Sequence, residues 1–167
     1  MLTSISPRPL RLALALAAVL TIAACSKADQ TAGTEFGAGG RGGAPGSTQD
    51  FAVNVGDRVF FESDQTDLTP TATATLDKQA QWLSRYPQYT FLIEGHADER
   101  GTREYNFSLG ARRAQAVRDY LASRGIPASR IRTVSYGKER PVAVCNDISC
   151  WSQNRRGVTV LDSGAGS

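Results

Sequence analysis

The chain has 167 residues and a formal net charge of +3, and its length suits one domain behind a leader segment. Two of its 19 basic residues and none of its 16 acidic residues lie in residues 1–24, so 17 basic residues face 16 acidic ones in the remainder. This near balance excludes the strongly basic surface by which many proteins bind nucleic acids. His96 is the single histidine, which excludes a histidine-rich metal site.

An apolar leader occupies the N-terminus. The stretch from Leu10 to Ala24 is almost entirely apolar, and Arg8 and Arg11 are the only charges of the leader. The 13 residues after Arg11 are fewer than the ~20 that a membrane-spanning helix needs. A short apolar core behind a basic start predicts a secretory signal peptide at residues 1–24.

The leader ends in IAAC, which resembles the lipobox of bacterial lipoproteins. In such proteins the chain is cut before the cysteine and the thiol takes a lipid, so the resemblance implies that Cys25 is lipidated. Two or three acyl chains make a stable anchor, whereas one chain binds a membrane only marginally. Ser26 stands where an aspartate retains many lipoproteins at the inner membrane, which implies an outer-membrane location. The alternative is an ordinary signal peptide followed by a chance cysteine.

Residues 25–50 form a Gly-rich segment with few large apolar side chains. Such a composition buries too little surface to offset the entropy lost on ordering, so we predict a flexible linker there. We also predict a flexible tail at residues 163–167. The linker should reach roughly 25–30 Å as a random coil, which lets a membrane-anchored domain search a neighbouring layer.

Strands and helices alternate over residues 51–162, the predicted folded domain. Thr69 and Pro70 supply the cap and first turn of a helix, and Gly125 supplies the C-cap of a later one. The predicted elements are a strand at 57–62, a helix at 70–86, a strand at 89–95, a polar loop at 98–106, a helix at 109–124, a strand at 131–137, a short helix at 151–156 and a strand at 157–161. This alternation predicts an α/β fold, an α+β sandwich in which a mixed four-stranded sheet packs on helices in two layers.

Three stretches of this domain resemble the OmpA C-terminal-like family: IEGHADERGTREYNFSLGARRA, VSYGKERP and NRRGVTV. The 15-residue spacing between Asp98 and Arg113 belongs to the same pattern. The likeness covers residues 55–161 and implies that the domain binds peptidoglycan.

The resemblance also implies a pocket for the diaminopimelate residue of peptidoglycan stem peptides. Asp98 would take the ammonium group of the ligand, and Arg113 would take its carboxylate. The other residues implied for this pocket are Asp64, Arg100, Thr102, Asn106 and Leu109. Ser63 is a departure, because many relatives have a bulky residue just before the Asp64 position.

The residue types suit this ligand on physical grounds as well. Diaminopimelate carries an amine and a carboxylate on one carbon, and an anion and a cation a few ångströms apart complement such a zwitterion. Arginine binds a carboxylate through two parallel hydrogen bonds, which lysine cannot do. Leu109 and Arg113 are four residues apart and share one helix face, and we expect Asp98 and Arg113 to face a pocket rather than the core. The alternative is that these two residues only form a structural ion pair.

The remaining candidates are two cysteines, the histidine and two arginines. Cys145 and Cys150 flank a short loop in a chain that we expect to reach an oxidising compartment. We predict a disulfide between them, the alternative being two free buried thiols. His96 with both thiols would supply three metal ligands, but we interpret His96 as a support for the following loop and expect neither metal nor cofactor. We interpret Arg155 and Arg156 as residues that make structural contacts at the end of a helix.

Three functions remain, and we favour a non-catalytic lipoprotein that ties the outer membrane to the cell wall from the periplasmic side. A cell-wall enzyme, such as an amidase or a transglycosylase, would need a metal set or an exposed catalytic carboxylate in a long groove, and the folded part of this chain leaves little room for either. A stator-type or porin-linked relative would need a membrane-spanning part, which the sequence does not predict. By resemblance, the partners are peptidoglycan, the outer membrane, and two Tol proteins that act in envelope constriction at cell division. One of them is a periplasmic propeller protein and the other is an inner-membrane protein.

Overall fold

The computed structural model describes residues 43–162. The predicted signal peptide, the lipidation site Cys25, most of the predicted linker and the tail at 163–167 lie outside the described residues. Among the helices of the described range, none combines the length and the apolar character that crossing a bilayer requires.

Four α-helices and four strands make up this part of the chain. In chain order they are α1 (Thr48–Asp50), β1 (Arg58–Phe60), α2 (Pro70–Arg85), β2 (Thr90–His96), α3 (Arg103–Ser123), β3 (Ile131–Gly137), α4 (Ile148–Asn154) and β4 (Arg156–Asp162). A π-helical segment, Phe51–Gly56, continues α1, and a 3-10 turn, Ala128–Arg130, precedes β3.

The strands form one mixed sheet in the order β1-β4-β2-β3. Strand β4 pairs antiparallel with both β1 and β2, whereas β2 and β3 are parallel. Parallel neighbours need a crossover connection, and α3 provides it. Phe91 and Ile93 of β2 are fully buried in one core cluster with Leu83 of α2 and Val117 of α3. The predicted two-layer α/β fold with a mixed four-stranded sheet is confirmed.

The predicted linker ended at residue 50, but the folded part already includes residues before 51. The carboxylate of Asp50 accepts hydrogen bonds from the indole N–H of Trp82 at 2.8 Å and from the backbone N–H of Gly46 at 2.9 Å. The hydroxyl of Tyr89 donates to the carbonyl of Gly46 at 2.8 Å. Phe51 is buried and its ring centroid lies 4.9 Å from that of Trp82. Aromatic side chains from elsewhere in the fold therefore hold a segment whose own composition predicts no structure.

Helix α3 begins at Arg103, well before the predicted start at Leu109. Thr102 is its N-cap, and the Thr102 side chain accepts a hydrogen bond from the backbone N–H of Tyr105 at 3.2 Å. The first residues of the helix are exposed, so this turn lacks the apolar spacing by which a helix is predicted. The predicted polar loop at 98–106 therefore contains the first turn of α3.

Helix α4 also begins earlier than predicted, at Ile148 rather than at residue 151. Asp147 is its N-cap, and its carboxylate accepts a hydrogen bond from the backbone N–H of Ser149 at 2.7 Å. The helix ends at Asn154, and β4 begins at Arg156, a residue that we had assigned to the helix.

Two glycines allow α3 to lie directly against the sheet. A Cβ atom at Gly95 would lie 1.8 Å from the carbonyl oxygen of Gly110, and one at Gly110 would lie 2.4 Å from Oγ of Ser135. No side chain fits at either position, so the helix backbone touches the strand backbone. This contact fixes α3 beside the end of β2, where Asn106 and Arg113 are buried.

Candidate functional site

The loop from β2 to α3, residues 97–102, carries the predicted anion and is held at several points. Gly101 has a φ of 84°, a backbone conformation that favours glycine. The buried side-chain amide of Asn106 donates to the carbonyl of Arg100 at 2.6 Å. Thr102 ends the loop as the cap of α3. The position of the loop is therefore set by the first turn of the helix.

Asp98 is 6% exposed, and both of its carboxylate oxygens accept hydrogen bonds from arginines. Oδ1 accepts from the backbone N–H of Arg100 at 3.2 Å and from its Nε at 3.1 Å. Oδ2 accepts from Nη2 of Arg100 at 2.7 Å and from Nη1 of Arg155 at 3.4 Å. The Arg100 side chain is 43% exposed and that of Arg155 only 6%. Of the two cations, Arg100 is therefore the one that can move away from Asp98.

Arg113 is fully buried, so the expectation that it faces a pocket rather than the core is wrong. Its Nε donates to the carbonyl of Gln65 at 3.0 Å, its Nη1 to that of His96 at 2.9 Å, and its Nη2 to that of Glu62 at 3.0 Å. The guanidinium also lies 5.1 Å from the centre of the Phe61 ring. Arg113 thus ties the loop that follows β1 to the end of β2.

The alternative of a structural ion pair between Asp98 and Arg113 does not describe the observed contacts. In the part of the chain that the structure covers, Asp98 pairs with Arg100 at 2.7 Å and with Arg155 at 3.4 Å. Arg113 uses its donors on backbone carbonyls instead. The acid and the buried arginine are neighbours that influence each other through space.

The pKa values follow from these contacts. Burial acts to raise the pKa of Asp98, but the hydrogen bonds and charge of Arg100 outweigh it and hold the pKa below its ordinary value of 3.8. Burial, assisted by the charge of Arg155, lowers the pKa of Arg113 to about 10, while Asp98 and Asp64 oppose this change. Both groups are ionised at neutral pH, so this corner of the fold holds a fixed anion beside a fixed cation.

The loop after β1 approaches the same corner. Asp64 is exposed and has a φ of 55°, a left-handed conformation that aspartate tolerates better than most residues. The hydroxyl of Tyr105 donates to Oδ1 of Asp64 at 3.4 Å. Oγ of Ser63 accepts from Nη2 of Arg100 at 2.8 Å. Ser63, the departure from the family pattern, therefore contacts the arginine that covers Asp98.

Most of the predicted site residues meet at this corner. Asp98, Arg100 and Asn106 are joined by direct hydrogen bonds. Leu109 is 2% exposed on the buried side of α3, one turn before Arg113.

Sequence reasoning did not predict that Trp151 of α4 and Arg155, the residue after α4, contact the Asp98 corner. Arg155, which we interpreted as a fold contact, also donates Nε to the carbonyl of Phe61 at 2.9 Å and reaches Asp98. The guanidinium of Arg100 lies 4.3 Å from the centre of the Trp151 ring. The indole N–H of Trp151 hydrogen-bonds the carboxylate of Glu99. The NRR motif was a signal for Arg155, whereas a single aromatic residue in a short polar helix gave none for Trp151.

A disulfide joins Cys145 and Cys150, whose Cα atoms are 5.7 Å apart. Cys150 is a buried residue of α4 and immediately precedes Trp151. The bond therefore connects the loop before α4 to the helix that packs on Arg100. Within residues 43–162, no cluster of three or more histidine, cysteine or acidic side chains is arranged to hold a metal ion.

His96 lies at the end of β2 and is 1% exposed. Its Nε2 lies 3.2 Å from a carboxylate oxygen of Glu94. Burial, together with the charges of Arg156 and Arg140, lowers the pKa of His96 to about 4. The ring is therefore neutral at neutral pH. The backbone carbonyl of His96 accepts a hydrogen bond from Arg113.

Solved structures with this architecture define the class of domain. The peptidoglycan-associated lipoprotein from Burkholderia pseudomallei matches with a TM-score of 0.62 and 42% identity, over 64% of this chain and 90% of that chain. The C-terminal domain of Helicobacter pylori MotB matches with a TM-score of 0.61 and 20% identity, over 65% of this chain and 86% of that chain, which shows the fold alone. The fold is that of an OmpA-like domain.

Sequence comparisons give the family. The model of the OmpA family matches residues 60–155. The peptidoglycan-associated lipoprotein of Rhizobium meliloti is 63% identical over 158 residues, 92% of this chain and 88% of the relative. That of Pseudomonas aeruginosa is 44% identical over 154 residues, 86% of this chain and 91% of the relative. The chain belongs to the OmpA family, as its motifs predicted, and its relatives form a structural, non-enzymatic group.

Proposed function

We propose that this protein is a lipid-anchored envelope protein that binds peptidoglycan without covalent attachment and ties the outer membrane to the cell wall. Its similarity to peptidoglycan-associated lipoproteins over most of its length supports this function. The observation that carries the proposal is the fixed anion of Asp98 beside the fixed cation of Arg113, because this pair complements a zwitterion. The ligand group is the diaminopimelate residue of the stem peptide.

Binding of the ligand ammonium to Asp98 begins with a displacement. Both oxygens of Asp98 already accept hydrogen bonds from Arg100 and Arg155. An ammonium group replaces the side chain of Arg100, which is the exposed partner, and inherits its charge-assisted hydrogen bonds. Arg155 stays in place because it is buried and tied to the carbonyl of Phe61.

The ligand carboxylate then lies against positive charge. Arg113 has N–H groups besides those bound to the carbonyls of Glu62, Gln65 and His96. Because Arg113 is fully buried without ligand, the displacement of Arg100 must also uncover these groups for the carboxylate to reach them. The displaced guanidinium of Arg100 remains close by. The stem peptides of lysine-type walls carry the amine but lack the neighbouring carboxylate, so the same site binds them without this second contact.

Titration of stem peptides of the two types against the purified protein tests this proposal. We expect clear preference for the diaminopimelate type, by about tenfold or more, since a charge-assisted hydrogen bond contributes about 1.5–3 kcal/mol. Asp98→Asn should weaken the binding of both types. Arg113→Lys keeps the positive charge but loses the planar fork of donors, and it should reduce the preference.

Circular dichroism of each variant controls for loss of the fold. Equal affinity of the unaltered protein for both wall types would rule out recognition of the carboxylate at this corner. Binding of neither type would rule out the whole function.

The membrane anchor of the proposal is a lipid on Cys25. Its support is the IAAC ending of the leader and the lipoprotein relatives. We expect Cys25→Ala to abolish lipidation and cleavage at this site, and membrane fractionation with intact-mass measurement checks this. Recovery of the variant in the outer membrane, cut at the normal position, would contradict the anchor.

The proposal extends to the Tol system, in which the protein contacts a periplasmic propeller protein and an inner-membrane protein during constriction at division. Resemblance to the family alone supports this part. Co-purification of both Tol proteins with the protein from dividing cells is the expected result, and their absence after crosslinking would contradict it.

A further inference from the structure

A cleft of about 340 Å³ opens at the β1 edge of the sheet, beside the start of α2 and the exposed side of α4. Small-ligand sites usually measure about 300–1,000 Å³, so this cleft suits a single compact group. Its lining includes Phe60, Glu62, Thr69, Ser152, Gln153 and Arg155. None of these residues is among those predicted from the sequence for ligand binding.

Arg155 lies between this cleft and Asp98. It lines the cleft, and its Nη1 lies 3.4 Å from Oδ2 of Asp98. Its Nε donates to the carbonyl of Phe61, the residue after β1. One side chain therefore contacts both the cleft and the acid that would hold the stem peptide.

The polar groups of the cleft are mostly neutral and retain hydrogen-bonding capacity. Nε2 of Gln153 and Oγ of Ser152 both donate to the carbonyl of Ser149, at 2.9 and 3.1 Å. The amide oxygen of Gln153 and the lone pairs of Ser152 therefore remain as acceptors. Oγ1 of Thr69 accepts from the backbone N–H of Ala72 at 3.1 Å, which leaves its hydroxyl hydrogen as a donor.

The charges of the cleft disfavour an anionic ligand. Arg155 is its one basic lining residue and already donates to Asp98 and Phe61. Glu62 adds an exposed acidic side chain at the rim. Phe60 contributes an aromatic ring that is 47% exposed. A ring face carries negative potential and attracts weakly positive C–H groups.

We propose that this cleft is a saccharide subsite. A sugar ring has an apolar C–H face for Phe60, and its edge carries hydroxyl groups for Gln153, Ser152 and Thr69. It is uncharged and fits the volume. The inference rests on the proposed function, because the glycan strand of peptidoglycan is joined to the stem peptide that Asp98 would hold.

Titration of two ligands that differ only in the sugar tests the subsite. One is the diaminopimelate stem peptide alone, and the other is the same peptide attached to its disaccharide. We expect the protein to bind the disaccharide peptide about fivefold more tightly, the size of effect that one aromatic contact supports. Phe60→Ala should bring the ratio of affinities to about one without changing the affinity for the free peptide.

Two further variants make the test decisive. Gln153→Ala removes an acceptor without touching the sheet and should also lower the ratio. Phe107→Ala removes another phenylalanine, which is 56% exposed and lies away from the cleft. This variant should leave the ratio of affinities unchanged. A ratio of about one for the unaltered protein, or a ratio that survives both cleft variants, would overturn the saccharide subsite alone. Binding of neither ligand would overturn the proposed function and this inference with it.

Discussion

Arg113 is a buried cation whose donors end on backbone carbonyls, so the fold depends on it. We expect Arg113→Ala to lower the free energy of unfolding by about 3–5 kcal/mol, because buried carbonyls lose charged partners. Urea denaturation measures the change. Arg112→Ala is the matched control: Arg112 is exposed and, among residues 43–162, its side chain bonds only Ser108 in the same helix, so its effect should stay below about 0.5 kcal/mol. A loss below about 1 kcal/mol for Arg113→Ala would show that the carbonyls find other partners.

His96 gives the fold a pH dependence whose sign follows from its lowered pKa. Its pKa in the folded state is about 4, below the ordinary value of 6.5. As pH falls below 6.5 the unfolded chain takes up a proton that the folded protein refuses until about pH 4, so stability decreases across this window. Between pH 7 and pH 5 the unaltered protein should lose about 2 kcal/mol more than His96→Gln.

Urea denaturation at a series of pH values checks this prediction. Asp98 also loses its stabilising effect in acid, but only as pH falls through its own pKa, which lies below 3.8. Its contribution is therefore outside the window of His96. Parallel stability curves for the protein and for His96→Gln would mean that folding does not lower the pKa of His96.

Motif spacing predicted which charged residues share a corner, but not how each is used. Asp98 and Arg113 are 15 residues apart in the family pattern, and the structure does bring both to the end of β2. Spacing does not indicate which acceptors the N–H groups of an arginine will bond, since these acceptors lie in loops from distant parts of the chain. The burial of Arg113 under Gln65 and Glu62 could therefore not be predicted.

At the scale of elements, the Cys145–Cys150 disulfide restrains the entry to α4. Closing so short a loop stabilises by about 2 kcal/mol or less, so we expect reduction to cause a small loss of global stability. The larger effect should be local, because Trp151 follows Cys150 and packs on Arg100. Its fluorescence should change on reduction in a Trp82→Phe background, where it is the remaining tryptophan.

Intact-mass measurement with and without reductant establishes the bond itself. The double variant with both cysteines replaced by serine should show the fluorescence of the reduced protein under all conditions. Two alkylatable thiols in the native protein would contradict the disulfide.

Strands were easier to predict than helix ends. Apolar runs such as YTFLIEG identify buried strands directly, and β2 was predicted to within a residue. The starts of α3 and α4 were missed because their first turns are exposed and are set by the caps Thr102 and Asp147. A cap residue in a polar stretch resembles an ordinary loop residue until its partner N–H is known.

For the described domain as a whole, the N-terminal segment around Gly46 and the proposed wall site lie at opposite ends of one strand. The segment that leads in from the linker is held by Tyr89, just before β2. Asp98 follows the other end of β2, after seven residues that span about 20 Å. The point where the chain enters the described domain is therefore about 20 Å from the proposed wall site along β2.

Sedimentation of the purified protein with diaminopimelate-type sacculi tests the central claim most directly. The protein should sediment with the sacculi. Asp98→Asn keeps the shape of the side chain and removes its charge. This variant should stay in the supernatant, because its apparent affinity falls by about tenfold or more. Circular dichroism and urea denaturation establish that the variant is folded. A folded Asp98→Asn protein that sediments as fully as the unaltered protein, or an unaltered protein that does not sediment, would contradict the account.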